Sequence, residues 1–437
     1  MKHHHSTDQA AMFDFDLLQM PVDEQHPLMR IGKELDWDAL IEIVGKKYSG
    51  KTGRNSKSLR MMIALEIAKP VLRESDRDLV RRLETDIALK LFCGFTNVYH
   101  DVPDASSLTK FRKKLDSETL QLLEDASIRT FIRKLPCKRR HQCITDSTCI
   151  PGSITFPIDG KLLLTAWRKM VVALEKIRQT GKKVIIRGKR AVTKAAAGFR
   201  KKKRHTIEEV QAYNQFLVTK GEQLLALLHK TVASTAADVS EKLLQTIATI
   251  LAQQGEMLRR NVRSCRDRIV SLHAPMIRPI PRGKEGGRKT EFGKKITCSV
   301  IGGTLLRMDR IDDDPFSDTE MVPDAIATHE RCFGRKPSEI NTDRGGHTPE
   351  IHALLETQDI TDGVQWKGAR PKNAPAPPDH AIKRMRRQRS GVEGKFGTLK
   401  TRYCCDRNPY KHDHAHVKIA FALLAMNAMA VARIGGP

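Results

Sequence analysis

Three acids far apart in the chain fall where chemistry needs them. Asp146 lies inside the run Gln142-Cys143-Ile144-Thr145-Asp146-Ser147-Thr148-Cys149-Ile150, Asp343 directly precedes Arg344-Gly345-Gly346, and Glu393 stands in a segment that reads as helical from about Ile382. An acid flanked by Ile, Thr and Cys is costly to bury without a partner. Three carboxylates carried by different elements can converge on hard divalent cations. Two such cations serve both ends of a phosphodiester reaction, activating the attacking oxygen and stabilising the leaving one. Arg389 lies four residues before Glu393 and Lys400 seven after it. All three therefore project from about one helix face, where the cations suit phosphates flanking a cut. The plain alternative for that face is a solvated helix with ordinary ion pairs.

The elements that must position these residues read as follows. Residues 1–50 are weakly patterned, and residues 51–133 form a small helical domain. There Leu59, Met62, Ile63, Leu65 and Ile67, then Leu79, Leu83, Ile87 and Leu91, recur at helical spacing. Ser75 before Asp76 and Asp78 starts one helix, and the stretch Pro103 to Ser107 starts another that carries Lys110, Arg112, Lys113 and Lys114. Cationic helices of this kind suit a helix-turn-helix-like DNA reader. A strand over Gln142–Ile150 opens the catalytic domain, assigned to 141–160 and 272–437. Long, strongly basic helices over 161–271 interrupt it. After the insertion come a hairpin around Gly302-Gly303, a helix at Asp318–Phe333 and a strand at Ser338–Asp343. A helix at Pro349–Thr357, a strand at Gly363–Lys367, a Pro-rich loop and a last helical region complete the order. With the insertion removed, this is the order of an α/β ribonuclease-H-like core.

The motifs on these elements make the sequence similar to the DDE transposases of bacterial insertion sequences, the IS-four and IS-five kind with an N-terminal InsH-like helical domain. In the N-terminal domain they are Gly53-Arg54, Leu59-Arg60, Ser75-Asp76-Arg77-Asp78-Leu79, Phe92-Cys93-Gly94, Pro103 to Leu108 and Phe111-Arg112. In the core they are Thr145 to Thr148, Phe156 to Asp159, Glu291-Phe292-Gly293-Lys294-Lys295, Thr342 to Gly345, Ser390 to Gly394 and Leu399-Lys400. Arg389, Glu393 and Lys400 fit the spacing of the family's Tyr-Arg-Glu-Lys signature, but Arg386 stands in the tyrosine's place. The resemblance implies a metal site of Asp146, Asp343 and Glu393 holding two Mg2+ or Mn2+ ions. It also implies double-stranded DNA as partner, both terminal inverted repeats and target, in a homo-oligomeric complex. Arg389, Lys400, Arg386, Arg344 and Lys294 are the expected DNA contacts. The alternative class is a catalytically inactive or repurposed DNA-binding protein.

Composition agrees with a polyanionic partner. The 437 residues include 77 Lys and Arg against 51 Asp and Glu, a net charge of +26. No run reaches the ~20 apolar residues that span a bilayer, and Ile419–Val431 reads as a packed helix. Without a hydrophobic signal region at its start, the chain is expected in the cytoplasm, away from membranes. Nine scattered cysteines form no CxxC pair, so reduced, mostly buried thiols are expected. Gly45 to Thr52 matches the P-loop pattern letter for letter. The motif needs a buried strand before it and a helix directly after, and Gly53-Arg54-Asn55-Ser56 opens a helix poorly.

Overall fold

The computed structural model describes residues 17–48, 56–97, 102–152, 154, 157–234, 239–281, 290–369, 379–406 and 414–434. Among the described residues seven α-helices precede the first strand: α1 (Pro27–Glu34), α2 (Trp37–Gly45), α3 (Leu59–Leu72), α4 (Asp76–Leu83), α5 (Ile87–Phe92), α6 (Ala105–Arg112) and α7 (Ser117–Ile132). β1 (Gln142–Pro151) is followed by α8 (Asp159–Gln179), α9 (Lys189–Lys201), α10 (Ile207–Ala233) and α11 (Glu241–Arg259). Then come β2 (Arg278–Pro281), β3 (Thr290–Ile301), β4 (Leu305–Asp312), α12 (Met321–Phe333) and β5 (Glu339–Thr342). The chain goes on through α13 (Pro349–Thr357), β6 (Thr361–Val364), α14 (Asp379–Thr401) and α15 (Ala415–Ile434).

These elements divide into two compact units. One comprises residues 1–153, 294–312 and 316–437, the other 154–293 with 313–315. In the first, β1 pairs in parallel with β5, and β5 in parallel with β6. β3 lies on the other side of β1 and pairs antiparallel with β4. The hairpin between β3 and β4 turns on Gly302 (φ 60°) and Gly303 (φ 73°), the left-handed central residues of a turn in which the Thr304 N–H donates to the Ile301 carbonyl at 3.1 Å. The expected helical domain over 51–133 is not a separate body: its helices share one apolar core with the sheet. The segment before residue 50 belongs there too, since Leu28, Ile31, Leu40 and Val44 of α1 and α2 are buried. Helices of eight and nine residues are too short to display a period.

Side chains set the helix starts. Ser75 Oγ accepts the Asp78 N–H, and Asp104, not a serine of its run, caps α6 by accepting the Ser106 N–H. α15 is long and apolar enough to cross a membrane, but most of it is buried in the core of this unit. β6 lies two residues before the strand expected at 363–367. Trp366, beyond its end, stacks on His352 with ring centroids 3.9 Å apart, so an apolar residue outside the ladder drew the expected strand too far along.

The second unit holds the insertion, which extends to both sides of the expected 161–271. Apolar faces of α8, α10 and α11, with Leu163, Trp167, Leu217, Leu224, Ile247 and Ile250, form a core of their own. Thr206 and Glu209 cap α10 reciprocally. β2 pairs antiparallel with residues 290–293 of β3.

Candidate active site

The site gathers on β1 and the end of its parallel neighbour β5. Asp146 Oδ1 accepts the Ser147 N–H at 2.8 Å. Asp343 follows β5 directly and caps a short 3-10 turn, its Oδ1 accepting the Gly345 N–H at 2.8 Å. Burial, and then the nearby carboxylates of Asp343 and Asp318, push the Asp146 carboxyl up to about 6, against the Ser147 N–H and the Arg389 charge. Two neighbouring carboxylates make a set of hard oxygen donors, which suits a divalent cation.

α14 brings the cations. Its Arg384 pairs with Glu339 of β5 at 2.5 Å, and Lys400 Nζ donates to Thr148 Oγ1 of β1 at 2.7 Å. Between these anchors Arg389 places a guanidinium nitrogen 3.7 Å from Asp343 Oδ2. Val392, Phe396 and Leu399 form the buried face, and Glu393 stands exposed one turn past Arg389. Asp146, Asp343, Arg389 and Lys400 are thus brought to one region. Among the described residues, however, no three His, Cys, Asp or Glu side chains lie together as a ready metal cage. The Arg386 side chain is outside those described, and Arg344 is exposed.

Lys294 and Lys295 point to opposite faces of β3. Lys294 acts on the half-buried His416, whose imidazole is driven down to about 4 by desolvation and by that lysine's charge. Lys295 is the one at the acids: its Nζ donates to Asp318 Oδ1 at 2.7 Å and to the Phe316 carbonyl at 2.6 Å. Ser147 Oγ donates to the same Asp318 oxygen at 2.9 Å. Asp318, Lys295 and Ser147 were absent from the residues expected at the site. Strand alternation at Lys294-Lys295, and the Ser317/Glu320 capping box beside Asp318, are the signals that could have found them.

Behind the acids the strand is locked from inside. Thr145 Oγ1 bonds Ser299 Oγ at 2.8 Å, and Ser299 donates to Asp309 at 2.5 Å. Asp309 is held by the fully buried Arg307 at 2.6 and 2.9 Å. A satisfied buried network of this kind rigidifies what it spans, here β1, β3 and β4.

In the N-terminal helices two expected motif stretches meet. Arg112 forks onto both oxygens of Asp76, at 2.8 and 2.6 Å, and pairs with Glu66 at 2.8 Å, all with the guanidinium buried. Arg112 therefore leaves the group of cations on α6 expected to face DNA, while Lys110 and Lys113 stay exposed.

Residues 16–114 match the family described as Transposase domain (DUF772). This stretch is similar to a transposase domain. It covers α1 to α6, including the Asp76–Arg112 pair, and supports a transposase in general, with DNA as its partner. No curated protein and no solved structure matches the chain. The P-loop reading loses its context: the helix α2, not a strand, ends at Gly45, and residues 49–55 lie outside those described. None of the nine cysteines is in a disulfide, and six of them are buried.

Proposed function

We propose that the chain is a DDE transposase that hydrolyses phosphodiester bonds at transposon ends and transfers the strands into target DNA. The observation that carries this is the meeting of Asp146 on β1 with Asp343 at the end of β5, where the Asp343 charge helps to raise the Asp146 carboxyl, beside Arg389, in a chain whose residues 16–114 match a transposase domain. The strand order supports a ribonuclease-H-like core: two parallel pairs from β1 through β5 to β6, with the β3–β4 hairpin on the far side of β1. Asp146, Asp343 and Glu393 would hold Mg2+ or Mn2+, which when bound supply activation of the attacking oxygen and stabilisation of the leaving one. Arg389 and Lys400 hold phosphates beside the cut, and Asp318 keeps Lys295 and Ser147 in place next to Asp146. An oligomeric DNA complex in the bacterial cytoplasm completes the reading.

The test is cleavage of a labelled duplex carrying the ends of the encoding element, with Mg2+, Mn2+ or EDTA. Wild type should cut only with metal, and Asp343→Asn and Glu393→Gln should lose cutting while keeping most of their affinity, which phosphate contacts dominate. Near wild-type cutting by Asp343→Asn would sink the assignment. A second reading, a DNA-binding protein without catalysis, draws on the exposed Glu393 and on the absence of three gathered metal-binding side chains among the described residues. Binding without cutting under every metal is its signature.

A further inference from the structure

The positive charge of this chain is not evenly spread. Of the net +26, residues 154–293 carry +18, with 29 Lys and Arg against 11 Asp and Glu. The densest part runs from Lys182 to Arg204, where eleven of 23 residues are Lys or Arg and none is acidic. α9 lies in this run. Val192 belongs to the core of the second unit, and Ala196, one turn on, is buried too. At about 100° per residue, Arg190, Lys194 and Lys201 then fall within about 40° of one another on the opposite side, all exposed. They form a ridge about 16 Å long at 1.5 Å of rise per residue. The positions flanking it are small, Ala191, Ala197 and Gly198, and a Cβ added at Gly198 would meet nothing within 4 Å.

The helix is also pinned. Lys189 pairs with Glu175 of α8 at 2.5 Å, and Lys202 pairs with Glu209 of α10. Phe199 stacks between His205 and Tyr213, with ring centroids 3.8 and 4.1 Å away. The unit's acids thus engage the cations at the two ends of α9. Arg190, Lys194 and Lys201 have no ion pair among the described residues. A rigid, uncompensated row of cations between small side chains fits a surface of closely spaced negative charge that a helix can approach. Duplex DNA carries one charge per ~1.7 Å of its axis.

We propose that α9 is a DNA-backbone-binding surface, separate from the matched transposase domain, with Arg190, Lys194 and Lys201 each engaging a phosphate. The choice of duplex DNA as partner rests on the transposase reading, but the binding needs no catalysis. The test is made in EDTA on the full chain, measuring affinity for a fluorescent duplex of arbitrary sequence over a range of salt. Arg190→Glu/Lys194→Glu/Lys201→Glu should weaken binding roughly tenfold or more and flatten the slope of log K against log salt by about 1 for each phosphate no longer engaged. The control Lys230→Glu/Lys242→Glu/Arg259→Glu removes equal charge from exposed positions on α10 and α11, and should change the slope far less. Arg190→Gln/Lys194→Gln/Lys201→Gln, with circular dichroism to check folding, guards against misfolding of the first triple. An unchanged slope in the ridge variants, or an equal loss in the control, overturns the proposal. So does ridge-dependent binding to anionic phospholipid vesicles in preference to the duplex. A chain that cuts DNA but fails this test loses only the α9 surface. One that binds through α9 but never cuts loses only the transposase chemistry.

Discussion

Asp343 can sit where it does because the residue two places on has no side chain. A Cβ at Gly345 would lie 2.8 Å from Asp343 Oδ1 and 3.2 Å from the Asp318 carboxylate. Gly345 does not have the positive φ that a glycine often supplies in a sharp turn, so space and not backbone freedom accounts for it. Gly345→Ala should push the Asp343 carboxylate aside and lower cleavage of the end-bearing duplex about 100-fold, the scale of a misplacement near 1 Å. Melting should change little, since the turn keeps its conformation. Cleavage within a few-fold of wild type would show that the carboxylate tolerates the methyl group. At this scale Asp146 and Asp343 were legible because an acid inside an apolar strand, and another before Gly-Gly, leave few innocent explanations. Asp318 and Lys295 were not, because their roles come from contacts across the sheet that one-dimensional spacing does not carry.

Among elements, the least obvious feature in the sequence was Asn427, a lone amide in the apolar run of α15. The structure gives its reason. Asn427 Oδ1 accepts the Leu306 N–H and Nδ2 donates to the Leu306 carbonyl, both at 2.8 Å and both buried. Among the described residues β4 pairs only with β3, so its outer edge needs partners, and this side chain supplies them at one residue. Asn427→Leu keeps the bulk but leaves a buried N–H and C=O unpaired. The loss should be about 2–4 kcal/mol, one unsatisfied group costing ~1–3 kcal/mol, read from urea unfolding. A loss under about 0.5 kcal/mol would mean the edge is satisfied otherwise. The strands and long helices were legible from their periods, and Pro349–Thr357 agrees residue for residue with its expected range. The place of β6, the docking of α1 and α2, and the pairing of α15 with an edge all depend on partners distant in sequence, so local pattern could not fix them.

For the whole molecule, two separate apolar cores make a thermodynamic claim. One core joins the N-terminal helices, the sheet and α15, and the other belongs to the helices between β1 and β3. Reading the sequence as an N-terminal domain, a catalytic domain and an insertion divided the first core in two, because a change from helices to strands resembles a domain boundary even where packing is continuous. Chains with distinct cores need not unfold in one step. Calorimetry should show two transitions, each with its own response to a cavity. Leu217→Ala, in a residue fully buried in the insertion, and Leu423→Ala, fully buried in α15, should each cost ~2–5 kcal/mol. At about 2–4 °C per kcal/mol for units of this size, each substitution should lower one transition by roughly 5–15 °C and leave the other within a degree or two. If both transitions move together under either substitution, the two cores are one cooperative body, and the charge-bearing insertion cannot be treated as an independent DNA-binding part.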